Sequence, residues 1–328
     1  MEIIKNEEKK QNIFVNLFMS PEVGILIPLI ILCVITTIAN PMFLTVNNFS
    51  VILIYATFMG VIAIGQSVVI MSGEIDLSVG LNACFSGIVF GYFTAILQMH
   101  PVISILAGIL AGALIGCLNG YLVSKFGLVN FVTTLATMFL CWGLAVTISG
   151  GRPVMPFPTY YLHFAMAKPF NLSWGFFIML AIFIIMEIVI RYTTIGRKVK
   201  AVGGNKEAAL MAGVNVMKVK WCAYILSGSL AAVGGILAAI SMNAAAPDFG
   251  PGIEFRTITA CAVGGISFAG GSGTILGVGI GILFVNILSN CLQLLRVEVN
   301  WQLVIIGFAL VISVILDNLK KEIQSRNV

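Results

Sequence analysis

Two acidic residues in the stretch SGEIDLSVG are the first candidates for chemistry, because no other acid lies between residues 49 and 150. Asp76 suits the N-cap of a helix that starts directly after it, with Ser78 assisting, since a carboxylate accepts free amide groups there. Glu74 leaves three roles open: contact with a hydroxylated solute, pairing with a basic residue, or exposure to water. Charges in apolar surroundings are costly, so each acid indicates a structural or functional need.

Amide side chains form a second candidate group. They occur in or beside the apolar stretches at Gln66, Asn119, Asn130, Asn286, Asn290 and Gln293. Amides hydrogen-bond the hydroxyl groups of sugars, but they also join helices to one another in apolar surroundings. Both interpretations stay open at this point. The candidate pathway or gating residues are Gln66, Glu74, Asp76, Ser78, Asn119, Asn286 and Asn290.

The segment GGNKEAALMAGVN, residues 203–215, is polar within a largely apolar chain, and we call it the polar island. Asn205 suits an N-cap, Glu207 and the alanines favour helix, and Gly213 suits the C-terminal stop. The charge of Glu207 also complements the helix dipole. The sequence therefore predicts one short helix that another protein could grip. The competing interpretation is a solvated loop between basic membrane anchors.

Known catalytic and nucleotide-binding motifs are missing from the sequence. It contains no GxxxxGK[ST], no HExxH and no GxSxG, so we expect no ATP site and no hydrolase site in this chain. The two histidines, His100 and His163, fall in or near different connections, so no catalytic or metal site is expected. A chain of this kind is best explained as one that moves a solute.

The composition is that of a polytopic helical membrane protein. Hydrophobic residues make up 59% of the chain and charged residues 9%, against roughly 25% charged in an ordinary globular domain. Continuous apolar runs of about 20 residues suffice to cross the bilayer as helix, and they do not alternate as barrel strands would. We predict ten spans, near residues 23–39, 49–71, 77–97, 101–124, 129–149, 173–191, 221–243, 255–269, 274–295 and 299–316.

Lysine and arginine placement predicts that both termini lie in the cytoplasm. With the N-terminus inside, fourteen of the 18 basic residues fall in inner segments and four in outer ones. The expected layout is a cytoplasmic N-terminal segment (1–22), one transmembrane domain (23–317) and a cytoplasmic tail (318–328). The first apolar run shows no cleavage site and is expected to stay as the first span.

Two connections are longer than a tight turn. The segment 150–172 is expected outside; its Arg152, Tyr160 and Tyr161 suit a docking surface for a protein partner, or else a prolyl-stiffened connector with interfacial tyrosines. The segment 192–220 is expected inside and is basic. Glycine-rich stretches in the fourth, seventh and ninth spans predict close helix packing.

Five separate stretches, in order over residues 45–317, resemble motifs of one family. They are SGEIDLSVG (72–80), GCLNGYLVSKFGLVNFVTTLATM (116–138), SGGRPV (149–154), AVGGNKEAALMAGVNV (201–216) and AVGGISFAGGSGTILG (262–277). The chain resembles permease subunits of ABC importers, in the ribose-type branch for monosaccharides. Glu74 departs from the glycine commonest there, and Arg256 from the residue often found at its position, so no particular sugar is assumed.

The resemblance implies an all-α permease in the cell membrane, whose cytoplasmic loop 192–220 couples it to an ATPase. Carried over by position, the coupling residues are Gly203, Gly204, Asn205, Glu207, Ala208, Ala209 and Gly213. Implied partners are ATP-binding cassette subunits, which bind ATP and Mg, an extracytoplasmic solute-binding protein and a second permease chain. The alternative is an ion-coupled secondary transporter, which would use acids such as Glu74, Asp76 or Glu187 at mid-membrane depth.

Overall fold

A computed structural model describes residues 21–169 and 172–326, and its regular elements there are helices. The expected N-terminal segment 1–22 and tail 318–328 fall partly outside these ranges. An isolated bridge between Val154 and Ala245 supplies β-type pairing in the described part.

Thirteen α-helices follow one another in the described chain. Their bounds are α1 Pro21–Ala39, α2 Val46–Met71, α3 Val79–Gly91, α4 Pro101–Phe126, α5 Asn130–Ser149, α6 Thr159–Met166, α7 Trp174–Tyr192, α8 Thr194–Gly204, α9 Lys206–Met211, α10 Val216–Met242, α11 Ile253–Val263, α12 Ile275–Leu294 and α13 Val299–Arg326. A 3₁₀ turn (Pro41–Leu44) precedes α2, and a π turn (Tyr92–Ile96) continues α3.

Seven helices of the described chain are long and apolar enough to cross a membrane: α2, α3 with its π turn, α4, α5, α7, α10 and α12. The predicted eighth span, 255–269, is wrong as a full crossing. Its helix, α11, has 11 residues and is therefore about 16 Å long, half of a bilayer core. Gly264 follows it, and Gly265 has a φ of +78°, so the chain turns there. The count of ten spans and the inner termini stay predictions.

Helix α10 lies at the centre of the bundle and packs on α4, α2 and α3. Glycines permit that approach: a Cβ at Gly116 of α4 would lie 2.2 Å from the carbonyl oxygen of Tyr224, and one at Gly228 would lie 2.4 Å from that of Gly112. Side chains there would force the backbones apart. The close packing predicted from the glycine-rich stretches is confirmed at this helix pair.

Helices α3 and α11 both begin inside the bundle, and their first turns meet. The connection 243–252 runs back along α3, with Ala245 beside Gly91 and Gly250 beside Gly80. Glu254, in the first turn of α11, then lies against Gly80 as well. Two helices therefore start within the protein's apolar region, an arrangement that transporters use to place polar groups at depth.

Candidate functional site

Glu74 lies in the non-helical stretch between α2 and α3 and joins three elements. Its carboxylate pairs with the Nζ of Lys220 from α10 and accepts a 2.6 Å hydrogen bond from the Nδ2 of Asn130 at the start of α5. The Glu74 and Lys220 side chains are 9% and 15% exposed. Of the three roles predicted for Glu74, pairing with a basic residue is the one that the structure supports. We name Glu74, Lys220 and Asn130 the inner ion-pair cluster.

Asp76 organises the start of α3, but not as its N-cap. The helix begins at Val79, and the N-cap is Ser78, which makes no side-chain capping bond. The Asp76 carboxylate accepts hydrogen bonds from the Ser78 amide (2.9 Å), the Ser78 hydroxyl (2.6 Å) and the Ser227 hydroxyl (3.3 Å). The predicted helix start directly after Asp76 is therefore wrong, because this Asx-type turn delays the helix. Asn119 completes the network by donating to the Ser78 hydroxyl at 2.9 Å.

The remaining amide candidates divide into two kinds. Asn286 donates to the carbonyl oxygen of Ile282 at 2.8 Å, and Asn290 exchanges two hydrogen bonds with Asn48 of α2, at 2.8 and 2.9 Å. The Asn290–Asn48 pair joins α12 to α2. The Asn286–Ile282 bond lies within α12, and Asn286 contacts α2 through the Met59 sulfur at 3.6 Å, so helix packing explains both residues. Gln66 differs, since it is fully buried and neither of its amide atoms has a partner in the described part of the chain.

The three acids named for ion-coupled transport all form local bonds. Glu187 of α7 accepts from the Leu276 amide at 3.2 Å, in the first turn of α12, and pairs with Arg191 at 3.4 Å. It therefore serves as a helix cap and surface ion pair. Glu74 and Asp76 are engaged in the bonds given above, so each of the three acids named for a secondary transporter has a local structural use.

The polar island adopts the predicted helix. In α9, the Asn205 side chain accepts a 2.9 Å bond from the Ala208 amide, as an N-cap does, and Gly213 follows the helix with a φ of +77°. Glu207 and Ala208 are exposed, whereas Ala209 is buried. The capping prediction is confirmed; the ATPase-coupling role of these residues stays a prediction.

Two apolar residues at the tip of α9 were missed by the sequence analysis. Leu210 is 52% exposed and Met211 is 92% exposed. The sequence pattern that indicates this exposure is a pair of large apolar residues in a polar segment, because a helix of only six residues is too short to bury both side chains. Large exposed apolar groups of this kind are typical of surfaces that bind a protein partner.

Three backbone segments meet at the end of α8, at a contact that we name the glycine junction. They are the end of α8 (Gly203), the end of α2 and the stretch after it (Met71 and Gly73), and the stretch after α11 (Gly270 and Gly271). The Gly271 amide donates to the Met71 carbonyl oxygen at 2.9 Å. A Cβ at Gly203 would lie 2.0 Å from that oxygen, and one at Gly270 would lie 2.9 Å from the Cα of Gly73. The end of α8 thus touches, backbone to backbone, both the stretch that leads to α3 and the one that follows α11.

The outer-loop candidates do not form one surface. Arg152 is exposed, and Tyr160 is 44% exposed. Tyr161 is only 5% exposed, because its ring packs against Phe90 and Phe157 at centroid distances of 5.3 and 6.1 Å. Tyr161 therefore belongs to the core, and its predicted docking role is wrong for geometric reasons. Arg152 and Tyr160 stay available to a partner.

Comparisons with known proteins show the family of the chain. The family described as the branched-chain amino acid transport system permease component matches residues 48–314. The chain is 37% identical over 308 residues to the ribose import permease protein RbsC of Bacillus subtilis (strain 168), covering 91% of this chain and 93% of that protein. It is 33% identical over 299 residues to the L-arabinose ABC transporter permease protein AraH of Azospirillum brasilense, covering 91% and 88%.

A third relative, the ribose import permease protein RbsC of Escherichia coli (strain K12), is 33% identical over 300 residues, covering 90% of this chain and 93% of that protein. No solved structure matches the chain. The family match begins within α2 and takes in every helix from α3 to α12, including α3 and α11, which begin inside the bundle, and the 192–220 segment. The chain is a multi-pass membrane protein and belongs to the family of branched-chain amino acid transport system permease components.

Proposed function

We propose that this chain is the membrane-spanning subunit of an ATP-driven importer for a monosaccharide or related small polar solute. The similar ribose and arabinose permeases support the solute class. The glycine junction is the observation that carries the mechanism, because it links the 192–220 segment directly to the stretches flanking α3 and α11. A separate ATPase subunit binds ATP and Mg and supplies the free energy.

In this proposal α9 is the helix that the ATPase subunit binds. Glu207, Ala208, Leu210 and Met211 are exposed on it, while the buried Ala209 anchors the helix to the bundle. Movement of α9 passes to α8 and, through the backbone contacts of Gly203, to the neighbouring stretches. Packed backbones have few intermediate arrangements, so a shift at one end becomes a rigid-body movement at the other.

The inner ion-pair cluster is the proposed closure on the ATPase side. It joins the stretch before α3 to α10 and α5, and Lys220, the last residue of the 192–220 segment, lies near the start of α10. Moving α10 relative to α3 would separate Lys220 from Glu74. Since both side chains are largely buried, breaking the pair without hydrating the carboxylate is costly, and the closed form is favoured until the ATPase acts.

The partner arrangement completes the proposal. A solute-binding protein delivers the solute to the outer face, where Arg152 and Tyr160 are accessible. A second permease chain, identical or related, forms the other wall of the path. Capture of the solute then depends largely on the binding protein, which would explain why the polar groups of one chain are mostly used in helix packing.

Co-purification tests the ATPase partnership. The chain, extracted from its native membranes in mild detergent, is expected to bring down a P-loop ATPase in stoichiometric amount. Met211→Glu should reduce its recovery about tenfold or more, because a buried anchor at an interface is replaced by a charge. Met166→Glu is the matched control, since Met166 is 67% exposed at the end of α6, outside the 192–220 segment. Equal recovery with both variants would exclude α9 as the ATPase contact.

A further inference from the structure

Arg256 occupies an unusual depth for a cation. It lies in the first turn of α11, two residues after Glu254, which touches Gly80 at the start of α3. Further along α11, the Cys261 thiol lies 3.5 Å from the carbonyl oxygen of Ala63. Ala63 is about 26 Å along α2 from Val46 and about 12 Å from Met71, by the helical rise. Arg256 is therefore held between two points well inside the apolar bundle.

No acid neutralises Arg256 within the described part of the chain. The ion pairs found there are Arg191–Glu187 and Lys220–Glu74, and Arg256 makes no hydrogen bond to a described residue. Glu254 cannot serve, because residues two apart point to opposite sides of a helix. Its carboxylate instead accepts from the Gly252 amide at 3.0 Å and faces Gly80.

The side of α11 that carries Arg256 is open in the single chain. The arginine is half-buried, and α11 packs against α2, the helix that carries Tyr55. Tyr55 itself is 43% exposed, and Phe255 beside Arg256 is 52% exposed. Lipid against this face would leave an unpaired guanidinium in hydrocarbon, which is strongly unfavourable. Water, or a polar surface, must therefore meet it.

We propose that Arg256 and Tyr55 line the solute path and that the arginine selects a solute with a carboxylate, which makes the substrate class an acidic sugar. A guanidinium binds a carboxylate through two parallel hydrogen bonds, and a phenol can serve the hydroxyl groups of the same solute. An uncompensated cation in surroundings of low dielectric attracts anions and repels cations. This inference rests on the proposed import function.

Thiol labelling tests the pathway without knowledge of the solute. Tyr55→Cys is placed in the complete importer in membranes and treated with an anionic sulfonatoethyl or a cationic trimethylammonioethyl methanethiosulfonate, with the unsubstituted chain as baseline for its seven native cysteines. The ratio of anionic to cationic labelling rates should fall about tenfold when Arg256→Gln is added and should be retained with Arg256→Lys. The control is Leu110→Cys on α4, where the side chain is 60% exposed on an apolar helix surface expected to face lipid. This cysteine should react with neither charged reagent.

Two results would overturn the inference. Absence of labelling at Tyr55→Cys would mean that the face meets lipid. An unchanged ratio with Arg256→Gln would mean that an acid of the second chain already neutralises the arginine. Neither result bears on whether the chain works with an ATPase.

Uptake separates the two claims. With the full importer, D-galacturonate uptake should exceed D-ribose uptake and should drop at least about tenfold with Arg256→Gln. D-galacturonate uptake that does not exceed D-ribose uptake, or that is unchanged by Arg256→Gln, would refute the acidic-sugar inference and leave the proposed function intact. Absence of ATP-driven uptake of both solutes would overturn the acidic-sugar inference, whereas the co-purification of an ATPase tests the proposed function separately, and the labelling ratio still decides whether Arg256 faces a path.

Discussion

Contacts between residues close in the sequence could be predicted, whereas contacts between distant residues could not. The Asn205 cap and the Gly213 stop could be predicted, because both depend on neighbours within a few residues. The Lys220 partner of Glu74 could not be predicted, since 146 residues separate the two and the sequence shows Lys220 only as a basic membrane anchor. Tyr161 was placed wrongly because its sequence context does not reveal Phe90.

The inner ion-pair cluster gives a prediction at this scale. Lys220→Met should destabilise the chain by about 3 kcal/mol, because it leaves the Glu74 carboxylate buried without its cation. Adding Glu74→Gln should restore much of that loss, since the amide can keep a hydrogen bond with Asn130. Thermal unfolding in detergent measures both effects. If the two substitutions lower stability additively, the pair is not coupled and the proposed closure is wrong.

At the scale of elements, helix length was the main error. Apolar residues that continue to residue 269 predict an eighth span, but glycines end α11 at Val263 and turn the chain. Composition records which residues avoid water, and it does not record whether they sit in lipid or against the backbone of a neighbouring loop. Glycines predicted close packing only in the fourth, seventh and ninth spans, and the contact between the glycines of 201–204 and 262–273 could not be predicted from either stretch alone.

At the glycine junction, a small added side chain should separate ATP hydrolysis from solute uptake. Gly203→Ala should uncouple the subunits: ATP hydrolysis continues while uptake falls about tenfold or more, because the added Cβ overlaps the Met71 carbonyl oxygen and forces α8 away. Gly143→Ala is the matched control, as Gly143 lies within α5 with no atom within 4 Å of an added Cβ. Hydrolysis and uptake are measured in the same proteoliposomes. Loss of uptake in both variants, or in neither, would rule out a specific coupling role for the junction.

At the scale of the whole molecule, the bundle and its family could be predicted from composition and five ordered motifs. The motifs carried the functional assignment, because apolar spans alone fit any transporter. The path itself could not be predicted from this chain, since its central polar groups are mostly satisfied by one another and its open cationic face at Arg256 requires a second surface. Both facts fit a subunit that works only in an assembly.

Solute uptake driven by ATP is the measurement that tests the central claim most directly. The chain is reconstituted with its co-purified ATPase and binding protein, and entry of labelled D-ribose and D-galacturonate is followed with ATP and Mg at the ATPase face. We predict uptake of at least one of the two that requires ATP hydrolysis, and no uptake by the chain alone under a proton or sodium gradient. Gradient-driven uptake by the chain alone, without ATP, would contradict the account and identify an ion-coupled transporter instead.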